Sequence, residues 1–275
     1  MTDYLVYDVF TNRRFGGNQL AIIPNGTEVA EGDLQRIARE FNFSETVFLF
    51  PPDGDGVAKV RIFTPTMEVP FAGHPTIGTA IFLGEAGLGP HFVLELGVGP
   101  MEITVAHGRA SFTTRVPLTR VAEPDRALVA RALGLPESVI LGQPVMAGLG
   151  LAFTFTELAD RDALSDIVCD VAAFREGHAR HPNGLDFAQA AYVRDGDLVH
   201  MRMFAPLDNI PEDPATGSAA AALGALLCEA EGPLDLTIHQ GEDMGRPSVI
   251  GVRAKPGAVT VAGQAVRVME GKLVS

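Results

Sequence analysis

The chain has 275 residues, of which 47% are hydrophobic, and its formal net charge at pH 7 is −13. This length is about twice that of a typical domain, so two domains of similar size are expected. A strongly acidic surface repels phosphate backbones and anionic lipids, which argues against nucleic acid and membranes as partners.

Two further features lead us to expect a cytoplasmic protein. The N-terminal residues lack the basic start and apolar stretch of a secretion signal, and no apolar run reaches the roughly 20 residues of a membrane span. The two cysteines, Cys169 and Cys228, are too few for a disulfide framework. Both lie in apolar patterns of helical type, which favours buried free thiols.

The first half of the chain predicts strands interrupted by two helices. Apolar residues at helical spacing from Leu34 to Phe41 predict an amphipathic helix with Asp33 as its N-cap. Pro75 is expected to open a second helix that ends near Gly84. Strands are expected over 4–10, 20–23, 46–50 and 57–63, and shorter ones near 92–96, 101–105 and 110–114.

The pattern restarts after Pro117. A helix is expected from Asp125, closed by Gly134. Because strands predominate and helices do not alternate regularly with them, an α+β fold with mixed sheets is favoured over a parallel βαβ fold. Further helices are expected near 163–174 and over 219–228, and strands over 153–156, 190–193, 199–204 and at the C-terminus.

A repeated segment indicates an internal duplication. Val60-Arg-Ile-Phe-Thr-Pro65 aligns with Met201-Arg-Met-Phe-Ala-Pro206, and in each half a strand is followed by this Phe-x-Pro, a loop and a helix. We therefore expect an N-terminal α+β domain over 1–117 and a C-terminal α+β domain over 118–275, with the final strand free to return to the first. If the two duplicated halves of the chain face each other, the N-termini of their two helices would lie at one cleft.

The loop Phe71-Ala72-Gly73-His74-Pro75 is a candidate anion site. Gly73 allows the backbone to approach a ligand closely, and the N–H groups and dipole at a helix start favour an anion. His74 would either donate to a carboxylate and shuttle a proton, or simply cap the helix. The residues alone leave both possibilities open.

A second loop, Glu212-Asp213-Pro214-Ala215-Thr216-Gly217-Ser218, precedes a run of small residues. Thr216, Gly217 and Ser218 offer backbone and hydroxyl donors at a helix start. An N-cap on a tightly packed helix would account for these donors, but it would not explain the acidic pair Glu212-Asp213 beside them. The pattern therefore favours a functional loop.

Glu45 lies at the junction between the first helix and an apolar strand. Taken alone it is typical of an exposed helix end. A carboxylate at such a junction is expected to be partly buried, an environment that suits a residue that transfers protons.

Taken together, these segments resemble the phenazine-biosynthesis isomerase-like family. The resemblance extends over nearly the whole chain, from residue 4 to residue 248. It rests on the following segments: Phe15-x-Gly17-Asn18, Ser44-Glu45-Thr46, Arg61-Ile-Phe-Thr-Pro65, Pro70-Phe-Ala-Gly-His-Pro75, Glu212-Asp-Pro-Ala-Thr-Gly-Ser218 and Gly245-Arg-Pro-Ser248.

The resemblance implies the diaminopimelate-epimerase fold, with two pseudo-symmetric domains that each wrap a curled mixed sheet around a central helix. It implies an active site between the domains, Glu45 as the acid/base, and His74 and Asp213 as residues that orient or protonate the substrate. Asn18, Gly73, Gly217 and Ser218 are the expected substrate-binding residues. The family is commonly homodimeric. The chain departs from it at Gln19, where the opening motif usually has proline.

The expected function is a cofactor-independent isomerase that shuttles a proton on a small anionic metabolite, with neither a metal nor an organic cofactor. Racemases of the superfamily use one cysteine from each half, whereas this chain has Gly73 at the first such position and Asp213 in the second loop.

Two alternatives to an isomerase stay open. A hydrolase could use Ser218, His74 and Asp213 as a triad, and a metabolite-binding protein would have the same cleft without activity. His178 and His181 are close enough in sequence to share a metal, but no third ligand is evident nearby, so a solvated pair is favoured.

Overall fold

The computed structural model describes residues 1–183 and 186–274. The chain divides into two compact units, the first formed by Met1–Thr113 with Val261–Ser275 and the second by Thr114–Thr260. The domain division at 117 stays a prediction, since a compact unit is not by itself an independently folding domain. Within the described residues, no helix is long and apolar enough to cross a membrane.

The first unit contains eight strands and two helices before the chain passes to the second. They are β1 (Thr2–Val9), β2 (Asn18–Ile23), α1 (Glu31–Phe41), β3 (Glu45–Phe50), β4 (Ala58–Phe63), β5 (Glu68–Val69), α2 (Gly73–Glu85), β6 (His91–Leu96), β7 (Gly99–Ala106) and β8 (Arg109–Thr114). A 3₁₀ turn over Gly26–Glu28 precedes α1.

The second unit is similarly rich in strands. Its elements are β9 (Thr119–Ala122), α3 (Arg126–Leu133), β10 (Ile140–Leu149), β11 (Leu151–Leu158), α4 (Arg161–Ser165), α5 (Val171–Arg180), β12 (Gln189–Asp195), β13 (Leu198–Ala205), β14 (Ile210–Asp213), α6 (Gly217–Glu231), β15 (Leu234–Gln240) and β16 (Ser248–Lys255). The last strand, β17 (Ala258–Leu273), starts in this unit and continues into the first, where it pairs antiparallel with β1.

Strand order and direction are the same in the two units. In the first, β1–β2 is antiparallel, β2–β3 parallel, β3–β4 antiparallel, β4–β6 parallel and β6–β7 antiparallel. In the second, β10–β11, β11–β12, β12–β13, β13–β15 and β15–β16 follow the same sequence of directions. The mixed α+β fold and its internal duplication are thus confirmed.

The helix α2 forms the centre of the first unit. It is apolar around its whole circumference, as expected for a helix surrounded by other elements. A Cβ atom at Gly78 would lie 2.5 Å from Leu20 and 2.8 Å from Val9, so only glycine lets α2 lie this close to β1 and β2. This close packing fixes the start of α2 against the ends of those strands.

The corresponding helix in the second unit, α6, also packs closely. A Cβ atom at Gly224 would lie 2.5 Å from Cγ1 of Val252 on β16. The run Ala219–Ala222 is buried, which explains the many small residues in this part of the sequence. The apolar core of the unit also includes the buried Leu128, Leu133 and Phe174.

Several details differ from the sequence expectations. The first helix starts at Glu31 with Ala30 as its N-cap, so Asp33 is not the cap. The Asp33 N–H donates to the Ala30 carbonyl at 2.8 Å, which places Asp33 inside the first turn, where the helix dipole still favours its charge. Gly134, with φ of 67°, does close α3 as predicted.

In the second half, the stretch near 163–174 forms two helices, α4 and α5, because the chain leaves the helical conformation between Asp166 and Asp170. The strand β10 (Ile140–Leu149) has no counterpart among the strands expected from the sequence. It contains Gly142 and Pro144, which break the alternation of polar and apolar residues, and its register with β11 shifts between Leu141 and Val145.

Candidate active site

Glu45 is positioned by the end of α1. Asn42 adopts the left-handed conformation with φ of 53° and donates its N–H to the Ala38 carbonyl, which ends the helix and turns the chain into β3. Glu45 is the first residue of β3 and lies beside Leu20 in the parallel pair of β2 and β3. Its side chain is 18% exposed. The carboxylate is therefore largely buried but still accessible.

His74 is the neighbour of this carboxylate. It is the second residue of α2, its side chain is 4% exposed, and its Nδ1 lies 3.0 Å from Oε2 of Glu45. The two atoms are at ion-pair distance. Glu45 Oε2 is buried and accepts no hydrogen bond from the described residues, which leaves it able to take a proton from a substrate.

The other ring nitrogen of His74 faces the backbone. Its Nε2 lies 3.3 Å from the carbonyl oxygen of Gln19. Because the contact uses the backbone oxygen, it would be available equally with proline at position 19. The departure of this chain from the family motif therefore leaves the surroundings of His74 intact.

Asn18 also belongs to this group. It is the first residue of β2, pairs with Val9 on β1 and is 2% exposed. Its Oδ1 accepts a hydrogen bond from the hydroxyl of Ser44 at 3.4 Å. The first unit thus brings Asn18, Ser44, Glu45 and His74 together, although they come from three separate segments of the sequence.

Gly73 is buried and is the first residue of α2. The residue before it, Ala72, occupies the N-cap position and has no polar side-chain atom with which to cap the helix. The N–H groups of the first turn therefore depend on partners other than an N-cap side chain. This geometry agrees with the anion site expected at Gly73, which stays a prediction.

The other predicted residues lie in the second unit. Asp213 is the last residue of β14 and is 5% exposed, and its Oδ2 accepts a hydrogen bond from the Thr216 hydroxyl at 2.6 Å. Gly217 and Ser218 are the first two residues of α6; Gly217 is buried and Ser218 is partly exposed. The loop therefore holds its acidic group beside the start of a helix, as in the sequence hypothesis.

Sequence reasoning missed the residue that fixes this loop, Gln240. This side chain, 1% exposed at the end of β15, accepts from the Thr216 N–H at 3.0 Å. It also donates to the Asp213 carbonyl at 2.7 Å and to the Thr216 hydroxyl at 3.0 Å. No local motif marks it, because its partners lie more than twenty residues away in the chain.

Ser248 supports the same loop. Its hydroxyl donates to the Pro214 carbonyl at 2.7 Å. Gly241 has φ of +73°, and a Cβ atom there would lie 2.5 Å from the Arg246 carbonyl and 2.7 Å from the Pro214 carbonyl. The Gly245–Ser248 motif singled out in the sequence thus maps onto the structure as support for the Asp213 loop.

Neither cysteine belongs to the 212–218 loop. Cys169 is in the loop between α4 and α5, which corrects its expected helical setting, and it is only partly buried. Cys228 is buried in α6, eleven residues or about 16 Å of helix from Gly217. Burial, with the Glu212 charge adding to it and Arg202 opposing it, raises the pKa of the Cys169 thiol to about 12. The position of Cys169 outside the helix starts and the distance of Cys228 along α6 argue against a two-thiol mechanism.

The structure separates His178 from His181 at the end of α5. His178 is on α5 with its Nδ1 3.0 Å from Oδ1 of Asp186, whereas His181 follows the helix end and stacks on Phe187. The two imidazoles therefore have separate neighbours.

Solved structures with this fold include a phenazine biosynthesis protein and epimerases. A phenazine biosynthesis protein of the PhzF family from Bacillus anthracis superposes with a TM-score of 0.89 at 22% identity, covering 100% of this chain and 99% of that one. A predicted epimerase from Pseudomonas aeruginosa gives 0.82 at 28% identity with both chains fully covered. A hydroxyproline epimerase from Agrobacterium vitis gives 0.63 at 16% identity, covering 98% and 91%. The fold is that of the epimerase and racemase class.

Sequence comparison narrows this class to one family. The family model described as "Phenazine biosynthesis-like protein" matches residues 7–271. An uncharacterized isomerase from Mesorhizobium japonicum is 38% identical, with 98% of each chain covered. The trans-2,3-dihydro-3-hydroxyanthranilate isomerase of Pseudomonas fluorescens is 33% identical, with both chains fully covered. The chain belongs to the phenazine biosynthesis-like family, and it is an enzyme of the isomerase class.

Proposed function

We propose that this enzyme is a cofactor-independent isomerase in which Glu45 takes a proton from one position of a small carboxylate metabolite and returns it to another. The observation that carries the proposal is the contact of Glu45 with His74. A buried carboxylate oxygen lies 3.0 Å from an imidazole nitrogen and accepts no hydrogen bond from the described part of the chain. Such a group can hold a proton between two steps of one turnover.

The substrate class follows from the named relatives. The Pseudomonas fluorescens relative acts, by its name, on trans-2,3-dihydro-3-hydroxyanthranilate, a cyclic diene that carries a carboxylate. Moving a proton along such a diene changes neither oxidation state nor composition, so the reaction needs no co-reactant. We propose a dienyl carboxylate of this kind as the substrate.

The remaining residues would bind and orient this substrate. We propose that His74 and Asp213 orient or protonate it, and that the substrate carboxylate accepts hydrogen bonds from the helix starts at Gly73 and at Gly217–Ser218. This requires the two loops to face one cleft, as in the sequence hypothesis. We further propose a cytoplasmic homodimer whose partners include neither nucleic acid nor membranes.

The hydrolase alternative is less well supported. In a Ser-His-Asp triad, the histidine nitrogen opposite the serine contacts the acid. Here Nδ1 of His74 is beside Glu45 and Nε2 is beside the Gln19 carbonyl, whereas Oδ2 of Asp213 accepts from Thr216. We expect a fluorophosphonate probe to leave Ser218 unlabelled, and labelling there would favour the hydrolase.

The experiment that tests the proposal follows the proton itself. In D2O, with trans-2,3-dihydro-3-hydroxyanthranilate, we expect the wild-type enzyme to give an isomerised product that carries deuterium, detected by NMR and mass spectrometry. Glu45→Gln should give neither product nor exchange. The matched control is Glu40→Gln, which alters an exposed carboxylate on α1 and should behave as wild type.

Two outcomes would contradict the proposal. If Glu45→Gln retains most of the wild-type rate, Glu45 is not the acid/base. If the wild-type enzyme binds the dienyl acid but neither isomerises it nor exchanges its protons, then the proposed substrate class is wrong.

A further inference from the structure

A second cluster of chemically active side chains lies in the second unit, whereas Glu45 and His74 belong to the first. It consists of His200 on β13, His239 on β15 and Glu242 in the loop after β15. One potential ligand atom from each of the three lies within 4.8 Å of the others. All three side chains are partly exposed, at 21%, 34% and 32%, so solvent can reach them.

The backbone places these residues together. His200 and His239 are direct partners in the parallel pair of β13 and β15, so their side chains leave the same face of the sheet. Gly241 then turns the chain with φ of +73°, a conformation that favours glycine, and brings Glu242 back to the imidazole three residues before it. The cluster therefore rests on two paired strands and a constrained turn.

We propose that His200, His239 and Glu242 form a site for a divalent transition metal ion, Zn²⁺ being the best match. Two imidazoles and one carboxylate form a donor set that zinc accepts, with a fourth position left for water or another ligand. No part of the proposed isomerase mechanism uses these residues. The site is thus an addition to that function and does not depend on it.

The distances fit this ion. Ligand atoms at roughly 2.0–2.1 Å from a tetrahedral zinc lie about 3.3 Å from one another. Nδ1 of His200 is 2.8 Å from Oε2 of Glu242, and Nδ1 of His239 is 3.5 Å from Oε1 of the same carboxylate. The imidazole rings are 5.3 Å apart between centroids, at an angle of 66°. One ligand atom from each residue lies within 4.8 Å of the others, so side-chain rotations that move these atoms by up to about 1.5 Å would bring all three to zinc spacing.

Arg161 contacts one oxygen of the Glu242 carboxylate. Nη1 of Arg161 lies 2.9 Å from Oε2, leaving Oε1 on the side of His239. A carboxylate that binds a metal is commonly held by such an outer hydrogen bond. Arg161, 39% exposed, can keep this bond or move away into solvent.

The site is separate from the Asp213 loop although it is adjacent in sequence. Successive residues of a strand point to opposite faces of the sheet, so His239 and Gln240 point away from each other. Gln240 is buried and holds Asp213 and Thr216, whereas His239 is partly exposed. Substitutions at His239 and Glu242 can therefore test the metal without removing a contact of the Asp213 loop.

The test is a titration of the tag-free, chelator-treated protein with ZnCl2 by isothermal titration calorimetry. We expect about one Zn²⁺ per chain. We expect Co²⁺ to give the visible absorption of a four-coordinate ion. The double variant His200→Ala/His239→Ala should weaken zinc binding at least tenfold. Glu242→Gln, which alters a loop residue and keeps its shape, should also weaken it at least tenfold and covers the case in which the strand variant fails to fold.

Two controls isolate the site. His178→Ala/His181→Ala removes the other histidine pair with a neighbouring carboxylate, and Glu45→Gln disrupts the contact of Glu45 with His74. Both should bind zinc as the wild type does. Absence of zinc binding in the wild type, or equal affinity in the wild type and Glu242→Gln, would overturn the proposal. Loss of binding in either control would place the ion elsewhere and overturn it as well.

Discussion

At the scale of single residues, the proposed chemistry depends on a carboxylate that is largely buried yet remains accessible. Two local features of the backbone create this environment for Glu45: the left-handed conformation of Asn42 and the pairing of β3 with β2. His74 reaches the same place from α2. Neither residue is distinctive by type, and their juxtaposition is what makes them a candidate acid/base pair.

Replacing Glu45 by Gln should separate binding from turnover. Glutamine keeps the size and hydrogen bonding of the side chain but cannot carry the proton. We expect kcat to fall to background, while the Kd of a substrate or product analogue changes by no more than roughly tenfold, about 1.4 kcal/mol. Calorimetry on wild type, Glu45→Gln and Glu40→Gln measures this, and loss of binding in parallel with turnover would contradict it.

The cysteines should be dispensable. Cys169→Ala/Cys228→Ala is expected to keep kcat/KM within about twofold, because neither thiol belongs to the Glu45–His74 pair or to the 212–218 loop. Stability should fall by roughly 1–2 kcal/mol, mostly from the buried Cys228 in α6. Urea unfolding and steady-state kinetics on the same preparation test this. A folded double variant with little activity would revive a thiol mechanism.

At the scale of elements, the start of α6 is fixed by β15 through one side chain. Gln240→Leu would remove the acceptor of the Thr216 N–H and the donor to the Asp213 carbonyl. Each buried polar group left without a partner costs about 1–3 kcal/mol. We therefore expect a loss of about 3 kcal/mol in the free energy of unfolding, measured in urea.

The control for this change is Gln35→Leu. Gln35 makes one hydrogen bond from a partly exposed position, to the Thr64 carbonyl at 2.8 Å, so its loss should cost about 1 kcal/mol or less. If the two variants lose equal stability, Gln240 does not have the positioning role assigned to it.

The start of α2 should respond to side-chain size at its first residue. If substrate approaches the backbone of Gly73, then Gly73→Ala should weaken binding moderately and Gly73→Val by well over tenfold. The thermal midpoint should change much less, since residues with side chains are compatible with a first turn. Substrate Kd and Tm, measured for the wild type, Gly73→Ala and Gly73→Val, test this expectation. Tight binding by Gly73→Val would contradict the proposal that an anion binds at Gly73.

At the scale of the whole molecule, the net charge of −13 opposes an anionic substrate. Charge-assisted hydrogen bonds and helix dipoles act over a few ångströms, whereas the repulsion of the whole surface is screened by salt. If short-range donors hold the carboxylate, its Kd should change less than about twofold between low salt and about 0.5 M NaCl.

The Kd of the anionic substrate, measured by titration from low salt to about 0.5 M NaCl, checks this expectation. A Kd that tightens steeply with added NaCl would mean that long-range repulsion, and not the local donors, dominates binding. The helix starts at Gly73 and Gly217 would then lose their proposed role as the anchor of the substrate carboxylate.

Much of the fold and of the candidate site could be predicted from the sequence because the signals are local. The Gly134 cap, the α+β pattern and the repeated Phe-x-Pro segments each lie within a few residues of chain, and the ordered motifs identified the family. The roles of Glu45, His74 and Asp213 came from that resemblance and stay predictions until the variants above are measured.

The tertiary structure decided what depends on strand register and on contacts distant in sequence. The register of β13 with β15 sets His200 beside His239, and no pattern in either segment encodes that pairing. The same holds for Gln240, whose hydrogen bonds reach back 24 and 27 residues to Thr216 and Asp213. A strand's own residues determine which faces are apolar, but the neighbour opposite each residue is fixed only when the whole sheet is assembled.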